Sequence, residues 1–224
     1  MARSLPALSC ILEVERKFRS LAVQELTAHQ GSPSFRSVRS LGQRTLHDVY
    51  YDQSSLLSSA GVWVRQRNGQ WEAKIKMGGD FTNSKFEEIT GHRDISRCVK
   101  EIIGGKCIEE GRQFGLVQTA AFVTTRKAWI ADDEFQIVLD TTDFGHTVGE
   151  VELQQQVSLT REREMCLEQE RQRILQKMDD RIAAFMTHYA WAFCPGAPKG
   201  KLTAYFERET YQSMSESTRR PSKP

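Results

Sequence analysis

Apolar and polar residues alternate in short stretches along most of the chain. Ile11-Leu12-Glu13-Val14-Glu15-Arg16-Lys17-Phe18 has period two, so residues 10–18 are predicted as a strand with one apolar and one ionic face. Leu21 to His29 reads as a short helix, and Thr45 to Asp52 is β-prone with Tyr50 and Tyr51 side by side. Val62 to Arg67 and Trp71 to Lys76 flank Asn68-Gly69, a pair that favours a tight hairpin. Gly78-Gly79 opens a loop, and Phe86 to Thr90 forms another strand. Two short helices are expected over Asp94 to Ile103 and Ile108 to Phe114, separated by Gly104-Gly105. Thr119 to Ile130, Phe135 to Thr141 and Val148 to Leu153 give a second run of strands, with turns at Asp132-Asp133 and Gly145.

The period changes over residues 160–189. Leu167, Ile174, Leu175, Met178, Ile182 and Phe185 fall at helical spacing among charged residues, which predicts one long amphipathic helix ending before Pro195. Lys201 to Tyr211 reads as a last helix or an extended arm. Residues 212–224 are rich in Ser, Arg and Pro and are expected to be a disordered tail. Two groups of antiparallel strands interrupted by helices place residues 1–211 in one α+β domain, with a closed or nearly closed barrel as its natural form.

Faces matter more than totals. In a strand, residues i, i+2 and i+4 share a side. Glu13, Glu15 and Lys17 therefore point one way, and Leu12, Val14 and Phe18 the other, with Arg16 sharing the apolar side. Glu150 and Glu152 oppose Val151 and Leu153; Trp63, Arg65 and Arg67 share a face, as do Glu72, Lys74 and Lys76. One such strand is ordinarily a solvated surface with cross-strand ion pairs. Four of them, each with an apolar back that needs a core, suggest ionic faces turned toward one another. Carboxylates bind a hard divalent cation, and Arg and Lys bind phosphate oxygens. A metal–polyphosphate suits both sets.

Composition supports this without specifying it. The 224 residues carry 31 Lys plus Arg and 29 Asp plus Glu, so the net charge of +2 conceals a charged share of 27%. That balance disfavours a dedicated duplex-DNA binder, which shows a basic excess. A hydrophobic share of 39% excludes wholesale disorder. No apolar run reaches the roughly 18 residues of a membrane span, and Met1 to Cys10 makes a poor signal peptide. The five cysteines include no Cys-x-x-Cys pair, as expected for idle thiols in a reducing cytoplasm. Gly104-Gly105-Lys106-Cys107 lacks the first Gly and the Ser/Thr of a phosphate-binding loop. There is no His-Glu-x-x-His and no Gly-x-Ser-x-Gly, and the five histidines stand apart.

Glu13-Val14-Glu15-Arg16-Lys17 resembles the Glu-x-Glu-x-Lys motif of the CYTH family, the triphosphate tunnel metalloenzymes. Further elements follow in that family's order: Arg65-x-Arg67, Lys74, Glu88, Arg126, Asp140, Glu150-x-Glu152 and Lys201. The likeness covers about residues 10–211. Val49 to Asp52, Trp71 to Lys74, Phe122 to Trp129, Asp140 to Gly145, Val148 to Glu152 and Lys201 to Tyr205 are most similar to the branch that acts on thiamine triphosphate, as is Trp63. One position departs: that branch typically has Asp-x-Asp where this chain has Val138-Leu139-Asp140, and a valine cannot bind a metal.

The resemblance implies a closed antiparallel eight-stranded β-barrel with surrounding helices. It implies Mg²⁺ held by Glu13, Glu15, Asp140, Glu150 and Glu152, and phosphates clamped by Lys17, Arg65, Arg67, Lys74, Arg126 and Lys201. Trp63 would stack on the thiazolium, and Glu88 would orient the cations or contact the metal. Glu13, Glu15, Lys17 and Glu88 would form the catalytic set of a hydrolase releasing the terminal phosphate of thiamine triphosphate. A monomeric cytoplasmic enzyme with a small-molecule triphosphate substrate, and with neither nucleic acid nor membrane as partner, is the corresponding expectation. The alternatives are an inorganic triphosphatase or nucleoside-triphosphatase of the same fold, and a polyphosphate-binding module without catalysis.

Overall fold

Alternation gives each strand two chemically different sides, and in a computed structural model the chain satisfies both by closing its sheet. The structure describes residues 8–104, 113–159 and 164–219. The strands are β1 (Leu8–Phe18), β2 (Val38–Asp52), β3 (Val62–Arg67), β4 (Gln70–Gly79), β5 (Asn83–Thr90), β6 (Val117–Ala131), β7 (Phe135–Thr142) and β8 (Thr147–Leu159). They form a closed barrel in the order β1-β5-β4-β3-β2-β6-β7-β8, with antiparallel neighbours. The expected α+β class and eight-stranded closed barrel are what the chain adopts. The helices are α1 (Leu56–Ser59), α2 (His92–Ile103), α3 (Glu164–His188) and α4 (Lys201–Arg219). None is long and apolar enough to cross a membrane.

The two larger apolar clusters lie outside the barrel wall. Leu12, Val14 and Phe18 of β1, Ile137 of β7, and Val151 and Leu153 of β8 pack against Leu175, Met178, Ile182 and Phe185 of α3. On another side, Val62, Val64 and Ala73 meet Leu57 of α1 and Ile95 and Val99 of α2. Arg16 follows its apolar neighbours outward, and α3 supplies its counterion: Nε and Nη2 donate to Asp179 Oδ1 at 3.0 and 2.6 Å.

Local chemistry fixes the turns. Asn68 and Gly69 both take positive φ, 49° and 81°, as a two-residue hairpin loop between right-twisted strands requires. Asn68 also accepts the His47 N–H at 2.8 Å, tying the hairpin to β2. Asp52 accepts N–H groups from Gln53, Leu57 and Ser58 at 2.7–3.1 Å, which starts α1.

Several expectations need correction. Leu21 to His29 is not a helix. Its backbone is committed elsewhere: Ala22 N–H donates to Ala192, Cys194 N–H donates to Ser20, and Leu21 bridges Phe193. β2 begins at Val38, well before Thr45, because its exposed first half pairs with β6 as far as Val38 opposite Ala131. β8 likewise runs on to Leu159 against β1. α4 continues to Arg219, past the boundary expected at residue 211. Most of the helix expected over Ile108 to Phe114 falls outside the described residues.

Candidate active site

The barrel encloses a cavity of about 780 Å³. Its lining includes Asn68 and Phe81, which lie in the turns at opposite ends of β4, so the cavity follows that strand through the barrel. Glu13, Glu15 and Lys17 line it from β1, Trp63, Arg65 and Arg67 from β3, Glu72, Lys74 and Lys76 from β4, and Glu150 and Glu152 from β8. Strand register brings these together: Glu15 stands opposite Glu152, Lys17 opposite Glu150, and Lys74 opposite Glu88.

Three carboxylates converge. Glu13, Glu15 and Glu152 each offer an oxygen within 4.8 Å of the others, and all three are buried. Lys74 touches Glu13 at 2.5 Å and both Glu15 and Glu88 at 3.3 Å. Glu13 Oε2, although ion-paired, is buried without an aligned hydrogen bond. Glu152 is met by a neutral group, with Gln136 Nε2 donating to its Oε2 at 2.6 Å, while Arg126 Nη1 stays 3.9 Å away. Burial pushes the Glu152 carboxyl up to about 8; Glu13 and Glu150 add to this and Arg126 opposes it. Glu13 is raised too, again chiefly by burial.

The other two residues expected to hold metal sit differently. Both oxygens of Asp140 take Arg126, through Nε and Nη2 at 2.7 Å each, and Lys201 Nζ donates to Oδ2. Asp140 is not among the residues lining the cavity and holds two of the expected clamp cations. Glu150 faces Arg126 at 3.7 Å, Lys17 at 3.9 Å and Lys201 at 4.0 Å. Burial would raise its carboxyl, but Lys201, Lys17 and Arg126 hold it well below the usual range. Val138 is fully buried between Ala128 and Glu150 and offers no oxygen there.

All six expected clamp residues reach the cavity. Arg65 donates to Glu72 and to the Tyr50 hydroxyl, Arg67 to Asp48, and Lys17 to Glu15. Despite desolvation, surrounding carboxylates keep Lys74 well above its ordinary range, so it is charged at neutral pH. Lys201 comes from outside the barrel, at the first residue of α4. The preceding segment is anchored by His146, whose Nε2 lies 2.7 Å from the Lys199 carbonyl. Leu202 and Tyr205 then pack on the cluster formed by Tyr50, Ala120 and Phe122. Trp63 also lines the cavity, edge-on to Phe86 at 5.8 Å.

Asp48, Gln136 and Gln154 complete the polar lining and its support but were not singled out from sequence. Asp48 carries a legible signal, since it precedes Tyr50 by two residues and so shares its inward face. The glutamines carry none, because an uncharged amide in a strand looks like any surface residue.

Comparison with known proteins places the chain among relatives. The thiamine-triphosphatase of Homo sapiens is 32% identical over 165 residues, covering 63% of this chain and 67% of its own length. That of Macaca fascicularis is 30% identical over 161 residues, with the same coverage. Among solved structures, a proposed adenylyl cyclase from Hippeastrum with a dominant triphosphatase activity superposes with a TM-score of 0.51. It is 16% identical and covers 88% of this chain and 96% of its own, which shows a shared fold. The CYTH domain family matches residues 12–186, from the first carboxylate strand through nearly all of α3, and the chain belongs to that family.

Proposed function

We propose that the protein is a Mg²⁺-dependent hydrolase that removes the terminal phosphate of thiamine triphosphate, giving thiamine diphosphate and phosphate. The observation that carries this is a cavity in which three convergent carboxylates stand beside lysine and arginine side chains, among them all six expected clamp residues. Glu13, Glu15 and Glu152 form an all-oxygen anionic donor set with one buried oxygen lacking a hydrogen bond, which fits a hard divalent cation. When bound, such an ion would withdraw charge from the phosphate oxygens and favour attack by water.

The residues of the chain do the rest. Phosphoryl transfer has a loose transition state, so positioning and charge stabilisation dominate catalysis. Lys17, Lys74, Lys201, Arg65, Arg67 and Arg126 surround the phosphates and neutralise them. Glu88, 3.3 Å from Lys74, keeps that ammonium turned into the cavity. Burial would raise Glu88, but Lys74 and Glu13 bring it below the usual range, so it is ionised at neutral pH. Closure of the barrel limits bulk water around the clamp, which strengthens each of these interactions.

Trp63 distinguishes an organic triphosphate from an inorganic one, because an indole face attracts the cationic thiazolium. Trp63→Ala is expected to lower kcat/KM for thiamine triphosphate by roughly 5- to 30-fold. Turnover of inorganic triphosphate should change by less than about twofold, since it presents no ring to stack. Equal losses on both substrates would remove the stacking argument. The second reading, an inorganic triphosphatase, is favoured by a clamp whose cations all address phosphate. Phosphate release measured with thiamine triphosphate, inorganic triphosphate and ATP, with Mg²⁺ or with EDTA, tests both. Preference for thiamine triphosphate with loss in EDTA is expected; no release from any of the three would overturn the hydrolase reading.

A further inference from the structure

Three arginines that line the cavity each have a carboxylate of their own: Glu72 for Arg65, Asp48 for Arg67 and Asp140 for Arg126. Glu72 is partly exposed, and Asp140 is shared with Lys201. Asp48 is different. Its side chain is fully buried, and among the described residues both oxygens serve Arg67 alone, with Nε to Oδ1 and Nη2 to Oδ2 at 2.7 Å each. The pair is directly cross-strand, and Phe122 stands opposite Asp48 on the other side.

We propose that Asp48 is a positioning residue for triphosphate binding: it fixes the guanidinium plane of Arg67 so that Nη1 is presented to a phosphate oxygen in the cavity. A planar guanidinium gripped along one edge can move in few ways, so its remaining N–H groups have set directions. A free arginine would lose side-chain freedom on capturing phosphate; one already fixed does not. Burial alone would push the Asp48 carboxyl up, but Arg67, Arg65 and Lys201 bring it below its usual range. The carboxylate is therefore ionised at neutral pH and holds the fork throughout. This inference rests on the triphosphate reading of the cavity.

Two effects of Asp48 oppose each other. Its negative charge repels a bound triphosphate, so removing it would tighten binding if simple Coulomb forces dominated. Loss of the fixed fork would weaken binding. The sign of the change therefore separates them. Titration calorimetry with inorganic triphosphate, alongside kcat, KM and melting temperature, makes the test. Asp48→Asn is expected to weaken binding about tenfold. Arg67→Lys, which keeps the charge but not the fork, should weaken it by a similar factor, and the double variant should be no weaker than Arg67→Lys alone. Asp48→Glu keeps the charge and moves the fork by one methylene; it too should bind less tightly, which carries the test if Asp48→Asn does not fold. Unchanged or tighter binding in either Asp48 variant, or losses that multiply in the double variant, would overturn the proposal. Absence of binding by the wild type would instead overturn the triphosphate reading itself.

Discussion

A Glu152→Gln enzyme is expected to lose roughly 10²- to 10³-fold in Mg²⁺-dependent hydrolysis and, without metal, to melt at a higher temperature than the wild type above pH 8. The loss follows from removing one of three converging carboxylates. The gain follows from proton linkage. The folded-state value of about 8 lies above the ordinary carboxyl value of 4.5. The folded protein therefore binds the extra proton across that window, and the resulting stability is complete below the lower value and lost as pH rises through the upper one. Above pH 8 the wild type must bury an ionised group, whereas the amide stays neutral and can still accept from Gln136. Mg²⁺ should raise the melting temperature of the wild type and not that of the variant, because only an ion bound to the folded state stabilises it. A variant that melts below the wild type at pH 9 would show that Glu152 is well compensated by Arg126 after all.

Arg126→Ala is the change expected to do most damage on both counts. Arg126 is buried, grips Asp140 along one edge, and lies within 4 Å of Glu150 and Glu152. Its removal takes one counterion each from three buried carboxylates, Asp140, Glu150 and Glu152, at a cost of roughly 3–5 kcal/mol. For a chain of this size that lowers the melting temperature on the order of 10 °C. A guanidinium placed against transferring phosphate is worth about 10³-fold or more in turnover. Arg126→Lys should recover part of the stability and little of the rate, because an ammonium restores charge but not the two-point grip. Denaturant melts and phosphate release on the same preparations check both. Near-normal stability in Arg126→Ala would mean that Lys201 and Lys17 suffice to hold Asp140 and Glu150.

Much of this was legible from alternation. The Glu13, Glu15, Lys17 face and the Trp63, Arg65, Arg67 face follow from period two alone, and both line the cavity. The closed eight-stranded barrel followed from the family resemblance, and the structure has it. Which charges meet was not legible, because it depends on register between strands far apart in sequence. Glu15 illustrates this, since its neighbour Glu152 comes from the far end of the barrel sequence, whereas Asp140 meets Arg126 across the adjacent hairpin and gives that arginine both oxygens. The helix expected at Leu21 to His29 fails for a related reason, since its backbone partners lie near residue 193.

The placement of the two larger apolar clusters outside the wall has a consequence for how the chain reaches this state during synthesis. Closure joins β1 to β8, pairing Leu8 with Leu159, so one edge of the first strand must wait for the last. Such distant pairing is slow and usually exposes half-made sheets to aggregation. Here β3 and β4 receive apolar cover early from α1 and α2, their close neighbours in sequence. The concave side still open to water carries the ionic residues of β1, β3, β4 and β8 beside a few aromatic rings, and its charges hydrate readily. The charges proposed to grip a triphosphate would thus have an earlier use, keeping water on the open face of the sheet until closure.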